Sequence, residues 1–469
     1  MKYRLTFLLL IVSTFTRASD VNVSRPILYI EEENAYAIFN VRWDNAWSNE
    51  KNNDAVWLFF KSVLPDGYKH IQVMTSGHSI VSVFTDNITL DFEVPNDGTG
   101  LFIFPEKEYR GRVEATVKVI LDIKSFENID TRNSSLTAYG IEMVHIPKGR
   151  FTLGDPDIKA LEFGSFYHPD SLGNFDGLVS INAENQEFEI AINGDIYYRA
   201  PEGYEGDQKG VIPATYPKGV TSFYIMKYEP TEGQYAAFLN SLSKKQIENR
   251  IIINETNYYS QGGKIVIENG KYSSTYPNKP CQFMSWDDAI AYSDWAGLRP
   301  MTEFEFTKAT RGESKPIAGE FPWGSKSKEK IQRLPDINGM LIMLNGWDES
   351  KLTDKNRAYF GASYYWVMDM AGSMWERLIT VGHPNGRNYR GSNGDGILSL
   401  NGNATNGDWP IGIETSGGIG FRGGGFYGYN REYHNFNPFS PIAYRTYGAW
   451  QGGMRNNSYG ARFVRNSAK

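Results

Sequence analysis

Residues 421–433 read Phe-Arg-Gly-Gly-Gly-Phe-Tyr-Gly-Tyr-Asn-Arg-Glu-Tyr, a glycine-rich stretch that also carries aromatic and charged residues. The glycine run after Arg422 favours a tight turn, because glycine adopts backbone conformations that other residues avoid. Two other segments belong with it: Gly-Ser-Met-Trp-Glu at 372–376 and Ser-Tyr-Gly-Ala-Arg-Phe-Val at 458–464. The 47 glycines of the sequence predict many loops and turns rather than long helices.

Together these segments resemble the sulfatase-modifying-factor domain, the domain of formylglycine-generating enzyme. Further landmarks of that family follow in its order at 143–154, 223–235 and 321–324, so the resemblance covers about residues 141–469. It implies a C-type-lectin-like α+β fold that is rich in loops. Residues 156–222 and 325–365 look like insertions in this frame.

In that family, the Arg-Gly-Gly segment leads into two cysteines, spaced i, i+5, which bind copper and carry the chemistry. The corresponding positions of this chain are Gly428 and Tyr433, and the one cysteine in the sequence is Cys281. Its apolar neighbours favour a buried, inert thiol, with a reactive thiol or an intermolecular disulfide as alternatives. Because copper(I) needs soft thiolate ligands, copper is not expected as a cofactor.

Polar and aromatic residues of the C-terminal region are candidates for binding, because tyrosine, asparagine and glycine form adaptable binding surfaces. They are Tyr427, Tyr429, Arg431, Glu432, Tyr433, His434 and Trp450. A cysteine-free oxidase that uses such groups is one alternative, since some relatives of the domain lack the copper pair. The other alternative is that these residues are ordinary side chains, either solvated or packed in the core.

Glu376 and Ser373 lie where the family has a Gly-Asn-x-Trp-Glu motif that helps to hold calcium. Calcium takes six to eight hard oxygen ligands, and Ser373 replaces the carbonyl oxygen of the asparagine. Calcium is the candidate cofactor here. The alternative, which we favour, is that Glu376 and Trp375 pack and form a hydrogen bond that orders a core loop. We interpret Arg299, Arg422 and Arg462 as structural, because one guanidinium group can satisfy several backbone carbonyls.

The first 18 residues have the features of a secretory signal peptide, with Lys2 and Arg4 before an apolar run at 5–12 and a cleavage point after Ala18. The apolar run is too short to span a membrane. The sequence therefore predicts a secreted or periplasmic protein without a transmembrane anchor, and an uncleaved membrane anchor is the alternative.

The rest of the chain divides into three predicted parts. Short alternating runs at 19–125 indicate an antiparallel β-sandwich, residues 126–140 read as a polar linker, and 141–469 form the family domain, which makes the fold class mixed. Within that domain, Thr231, Ser285 and Thr302 are predicted helix N-caps. The first of these helices should run to about Leu242, and Gly297 should end the second.

The formal net charge of −6 argues against a nucleic-acid partner. The leading hypothesis is an exported binding or assembly component of a bacterial envelope, without the copper-binding cysteine pair and with an envelope or secreted protein as its partner. The alternative is an oxidoreductase of the formylglycine-generating or non-haem metal family that uses non-cysteine residues. Carbohydrate binding is a third hypothesis, which rests on the lectin-like fold.

Overall fold

The computed structural model describes residues 21–31, 34–130, 134–412, 416–425 and 439–468. The signal peptide predicted at 1–18 lies outside these ranges. Within them, no helix has the length and apolar character needed to cross a membrane.

The described residues are mostly strands and loops, with a few short helices. The strands are β1 (Asn22–Val23), β2 (Ile27–Glu31), β3 (Asn34–Ser48), β4 (Asp54–Leu64), β5 (Gly67–Ile71), β6 (Ser79–Val83), β7 (Leu90–Glu93), β8 (Leu101–Pro105), β9 (Tyr109–Leu121), β10 (Ser135–Ile146), β11 (Phe151–Leu153), β12 (His168–Pro169), β13 (Phe175–Gly177), β14 (Val179–Ile181), β15 (Phe188–Ile190), β16 (Gly210–Ile212), β17 (Phe223–Met226), β18 (Ile265–Glu268), β19 (Lys271–Ser274), β20 (Arg299–Pro300), β21 (Arg333–Pro335), β22 (Leu341–Met343), β23 (Trp375–Ile379), β24 (Ile419–Arg422), β25 (Tyr459–Ala461) and β26 (Phe463–Asn466). The helices are α1 (Glu232–Leu239), α2 (Lys244–Arg250), α3 (Trp286–Trp295), α4 (Glu303–Arg311), α5 (Arg357–Phe360) and α6 (Pro384–Arg387).

Two antiparallel sheets pack face to face, one formed by strands of the N-terminal part of the chain and one that also includes strands from later in the chain. The first has the order β1–β3–β9–β6, with β2 also beside β3. The second has the order β20–β26–β17–β10–β4–β8–β7, with β5 beside β4. Side chains of both sheets share one buried cluster, including Val41 and Val117 from the first and Leu58 and Ile103 from the second.

The second sheet extends beyond the region predicted as a sandwich, 19–125, because β10 pairs with β4 from Ser135 to Val144. The predicted linker at 126–140 therefore differs from the structure, in which its last residues already belong to β10. Strand β4 explains the extension: Leu58 faces the first sheet, whereas Trp57 and Phe59 face the larger core of the family region. A strand buried on both faces reads as a continuous apolar run, which does not reveal a second partner layer.

Three helices begin where the sequence predicted. Each N-cap side chain accepts a hydrogen bond from the third helical residue, whose own side chain accepts one in return. The three caps are Thr231 of α1, Ser285 of α3 and Thr302 of α4. Helix α1 ends at Leu239, earlier than predicted, and a second capped helix, α2, follows it. Gly297, with a φ of 69°, directly follows the C-cap of α3, as predicted.

The predicted insertion at 156–222 packs into the main core. Phe166, Phe188 and Tyr216 meet the ring of Phe304 edge to face, with centroid distances of 5.6, 6.4 and 5.9 Å. Such pairs add to the free energy gained by burying the rings. This segment thus fixes the position of α4, the helix that carries Phe304.

A buried ionic cluster joins the second sheet to the family region. Lys227 Nζ lies 2.6 Å from Glu142 Oε1, 3.2 Å from Glu349 Oε2 and 3.9 Å from Asp54 Oδ2. Burial raises the pKa of Glu142 to about 8, and the charge of Lys227 opposes this rise. Lys227 is therefore the cation on which several buried carboxyl groups depend.

We expect Lys227→Met to lower the free energy of unfolding by about 3–5 kcal/mol, because it leaves buried carboxyl groups without their cation. The control is Arg112→Met, since Arg112 pairs with Asp44 at the surface and its side chain is 56% exposed. Exposed pairs contribute under about 1 kcal/mol. Urea unfolding of both variants checks the difference, and equal losses would contradict it.

A second buried polar contact lies between the second sheet and the segment 391–409. Lys61 Nζ donates to the carbonyl of Gly396 at 2.7 Å and lies 2.9 Å from His70 Nδ1. His70 Nε2 is 2.9 Å from the carbonyl of Thr99, so a proton on Nε2 leaves Nδ1 to accept from Lys61. Burial lowers the pKa of His70 well below its ordinary value, and the neighbouring charge of Lys61 acts in the same direction.

His70→Gln is expected to remove a fall in stability on acidification. The unfolded chain binds a proton at His70 near the ordinary pKa of about 6.5, whereas the folded protein keeps the imidazole neutral. The free energy of unfolding of the unmodified protein therefore falls, by up to about 1.4 kcal/mol per pH unit below that pKa. Glutamine accepts the same hydrogen bond but does not titrate. Urea unfolding at about pH 7.5 and about pH 5.5 tests this, and parallel pH profiles would refute it.

Candidate functional site

Two segments, 421–425 and 439–445, are called the stems here because they flank residues 426–438. One buried carboxylate, that of Glu303 at the start of α4, binds both stems. Its Oε2 accepts from Arg422 NH1 at 3.2 Å and from Arg445 Nε at 2.5 Å. Its Oε1 accepts from Thr380 Oγ1 at 3.0 Å and from the backbone N–H of Val381 at 2.8 Å. One carboxylate thus joins three segments: the stem before residue 426, the stem after residue 438, and the two residues that follow β23.

The two stems, 421–425 and 439–445, are also joined directly by hydrogen bonds to backbone carbonyls. The N–H of Ser440 donates to the carbonyl of Gly423 at 3.0 Å, and Arg422 donates to the carbonyl of Ile442. A side chain at Gly423, whose φ is 88°, would place its Cβ 2.9 Å from the carbonyl oxygen of Met370. Glycine is required there by the positive φ and by this close approach.

An aromatic cluster lies at the foot of these stems, formed by Trp375, Phe421, Tyr447, Trp450 and Tyr459. Ring centroids are 5.3 Å apart for Trp375–Tyr447 and 5.1 Å apart for Tyr447–Trp450. Tyr447 and Trp450 remain partly exposed. The structure therefore places the predicted binding residue Trp450 in a ring cluster beside the departing stem.

A buried cation lies beneath this cluster. The guanidinium carbon of Arg377 is 5.2 Å from the ring centroid of Phe421 and 5.0 Å from that of Tyr459. Its two terminal nitrogens donate to the carbonyls of Met284 at 2.8 Å and Met454 at 2.6 Å. Burial lowers the pKa of Arg377 to about 9.

Glu376 and Ser373, the predicted calcium residues, are both buried in hydrogen-bonded positions. Glu376 Oε1 accepts from Arg462 Nε at 2.8 Å and NH2 at 2.7 Å, and the hydroxyl of Ser373 donates to Glu229. Burial raises the pKa of both Glu229 and Glu376. Within the described ranges, no group of three or more histidine, cysteine or acidic side chains is arranged to hold a metal ion. Calcium remains a prediction.

The structural interpretation of the landmark arginines is confirmed. Arg462 also donates to the carbonyls of Met226, Lys227 and Met368 at 2.8–2.9 Å. Arg299 binds Glu305 through two nitrogens at 2.6 and 3.0 Å, and Arg422 binds Glu303.

The other candidates from the sequence, Tyr427, Tyr429, Arg431, Glu432, Tyr433 and His434, lie outside the described residues, as does Gly428. Cys281 is described: its thiol is free and buried, and burial raises its pKa well above the ordinary value. A thiol in that state stays protonated, which disfavours it as a nucleophile or a metal ligand.

Sequence reasoning missed Glu303, Arg377 and Arg445. Glu303 bonds to arginines 119 and 142 positions away, so no local pattern connects the partners. The signal available in the sequence was that Glu303 lies in the first turn of a predicted helix. An acidic residue is common there because it interacts favourably with the helix dipole, so the position did not indicate a long-range role. Arg377 follows Glu376 directly, and alternation along β23 turns it toward the aromatic cluster instead.

These features define a loop-rich α+β domain in which buried arginine–carboxylate pairs hold the base of a glycine-rich segment. Residues 133–467 match the family described as the Sulfatase-modifying factor enzyme 1-like domain, and the chain belongs to that family.

Curated relatives share shorter stretches. The formylglycine-generating enzyme of Thermomonospora curvata is 31% identical over 101 residues, which are 21% of this chain and 33% of the relative. The uncharacterized protein YfmG of Bacillus subtilis is 30% identical over 168 residues, 33% of each chain. Hercynine oxygenase of Mycolicibacterium smegmatis is 33% identical over 102 residues, 21% of each chain. The chain spans a third or less of the length of these relatives.

Glu303→Gln should lower the free energy of unfolding by about 3 kcal/mol or more, because two buried arginines lose their counter-charge. Hydrogen exchange at the amide of Ser440, in the stem, should also become faster. Glu255→Gln is the control, since Glu255 pairs with Arg455 in a position where its side chain is 39% exposed. That change should cost under about 1 kcal/mol. Similar losses in both variants would show that Glu303 does not have the central role assigned to it.

Proposed function

We propose that this protein is an exported member of the sulfatase-modifying-factor family that lacks the copper-binding cysteine pair and acts as a binding or assembly component of a bacterial envelope. The observation that carries the proposal is the combination of an intact family frame with a single cysteine. Arg422, Arg462 and Glu376 keep their buried bonds, whereas Cys281 has a buried, protonated thiol.

The chemistry of copper(I) supports the first half of this proposal. Copper(I) selects soft thiolate ligands, and the family's mechanism uses two of them. The family positions are Gly428 and Tyr433 here, and neither offers sulfur. One buried thiol elsewhere in the fold does not replace a pair.

The aromatic cluster supports the second half. Tyrosine, tryptophan and arginine are enriched at protein interfaces and at their energetic hot spots. Tyr447 and Trp450 expose part of their rings beside the stem 421–425, and in the sequence this stem is followed by Tyr427, Tyr429 and Arg431. We infer that an envelope or secreted protein binds there.

The second candidate is an oxidoreductase that uses non-cysteine residues. Its support is the similarity of this chain to proteins named formylglycine-generating enzyme and hercynine oxygenase. Arg431, Glu432 and His434 would supply polar groups to such a site, and Glu376 and Ser373 would belong to a structural calcium site.

The first test is an oxidation assay. The protein without residues 1–18 is incubated with copper, oxygen, a reductant and a peptide containing Cys-x-Pro-x-Arg, beside an active formylglycine-generating enzyme as positive control. We expect no conversion of the peptide cysteine by mass spectrometry and no stoichiometric copper(I) binding in competition with a chelator. Conversion that persists in Cys281→Ala would establish the oxidoreductase instead.

The second test is site-specific photocrosslinking in the envelope of the source bacterium. A photoreactive phenylalanine analogue replaces Trp450 in one variant and Leu172, which is 79% exposed, in the control. A discrete protein adduct is expected from position 450 and not from position 172. Identical adduct patterns, or none from position 450, would refute binding at the aromatic cluster.

A further inference from the structure

An open cavity of about 820 Å³ lies between the chain segments 385–392 and 407–411. It shares no residue with the aromatic cluster. Its volume falls in the range of pockets that hold small molecules. Neither the family comparison nor the proposed function assigns a role to it.

The cavity walls are held in place by hydrogen bonds. Asp408 Oδ2 accepts from the backbone N–H groups of Arg390 at 3.0 Å and Ser392 at 3.3 Å, and its Oδ1 accepts from the hydroxyl of Ser392. The indole N–H of Trp409 donates to the carbonyl of Ser392 at 3.0 Å. The two walls are thus tied together before any ligand arrives, which reduces the entropic cost of binding.

Three side chains that line the cavity keep their hydrogen-bonding capacity for a ligand. Asn385, Asn388 and Arg390 are exposed. Among the described residues, the hydrogen bonds they make involve their backbone N–H groups and not their side chains. Each amide offers two donors and an acceptor, and the guanidinium group offers five donors. Asp408 Oδ1 has one protein donor, so it retains a lone pair for another.

The charges and the apolar surface narrow the class of ligand. Asp408 and Arg390 carry opposite charges, so the cavity has no net preference for an ion. The lining offers donors from Arg390 and the two amides and acceptors from Asp408 and the same amides, which matches hydroxyl groups because each hydroxyl both donates and accepts. Ile411, which is 71% exposed, adds apolar surface for the C–H face of a ring, whereas Trp409 is buried and holds the cavity wall in place.

We propose that this cavity binds a neutral saccharide. Hydroxyl groups of the sugar accept from Asn388 and Arg390 and donate to Asp408. The proposal rests on these residues and is independent of the lectin-like fold and of the envelope role.

A glycan array that carries neutral and acidic oligosaccharides tests the proposal, followed by calorimetric titration of the best-bound neutral oligosaccharide. We expect the unmodified protein to bind neutral oligosaccharides. Arg390→Ala and Asn388→Ala should each weaken binding at least about tenfold, the effect of losing one or two hydrogen bonds to a charged or amide group. Arg25→Ala, which removes an exposed arginine from a different part of the surface, should leave the affinity unchanged.

All three changed side chains are exposed, so equal urea midpoints are expected and will show that the variants fold. Absence of any bound glycan, binding restricted to acidic glycans, or unchanged affinity in both cavity variants would overturn the proposal. The photocrosslinks at position 450 do not depend on this cavity, so the two proposals can fail separately.

Discussion

The carboxylate of Glu303 is the interaction on which the C-terminal half of this structure depends. It is fully buried, and its donors come from the two residues that follow β23, from the stem before residue 426 and from the stem after residue 438. Few residues in this region belong to helices or strands. Long-range hydrogen bonds from side chains therefore help to fix the positions of its loops. Breaking such a buried pair leaves an uncompensated charge, which makes the arrangement costly to lose even where its net contribution to stability is small.

The same principle recurs wherever strands and loops from distant parts of the sequence meet. Arg462 joins Glu376 to three backbone carbonyls, and Lys227 joins Glu142 of the second sheet to Glu349. The Lys227 cluster lies where β4, β10 and β17 of the second sheet meet the segment that carries Glu349. A break at residue 126 or 140 would separate β10 from β4 and would expose apolar side chains on both faces of β4.

The sequence predicted the features that depend on residues close together in the chain, and it did not predict those that depend on distant residues. The helices after Thr231, Ser285 and Thr302 were predicted correctly, because a capping box is written within four residues. The family was recognised from short glycine, arginine and aromatic landmarks. The partner layers of β4 and the arginines that bind Glu303 could not be predicted, because those pairings join residues far apart in the chain. Of the predicted binding residues, Trp450 lies in the described structure, and the others belong to 426–438.

The stems explain how the family's frame can persist while the residues between them change. Among the described residues, the bonds that fix the stems involve Arg422, Glu303 and Arg445. These bonds join described residues on either side of 426–438 and use no thiol, so they hold the two stems together without a cysteine. The frame supplies the position, and the aromatic residues at its foot supply a surface, which is the physical basis for inferring recognition in place of copper chemistry.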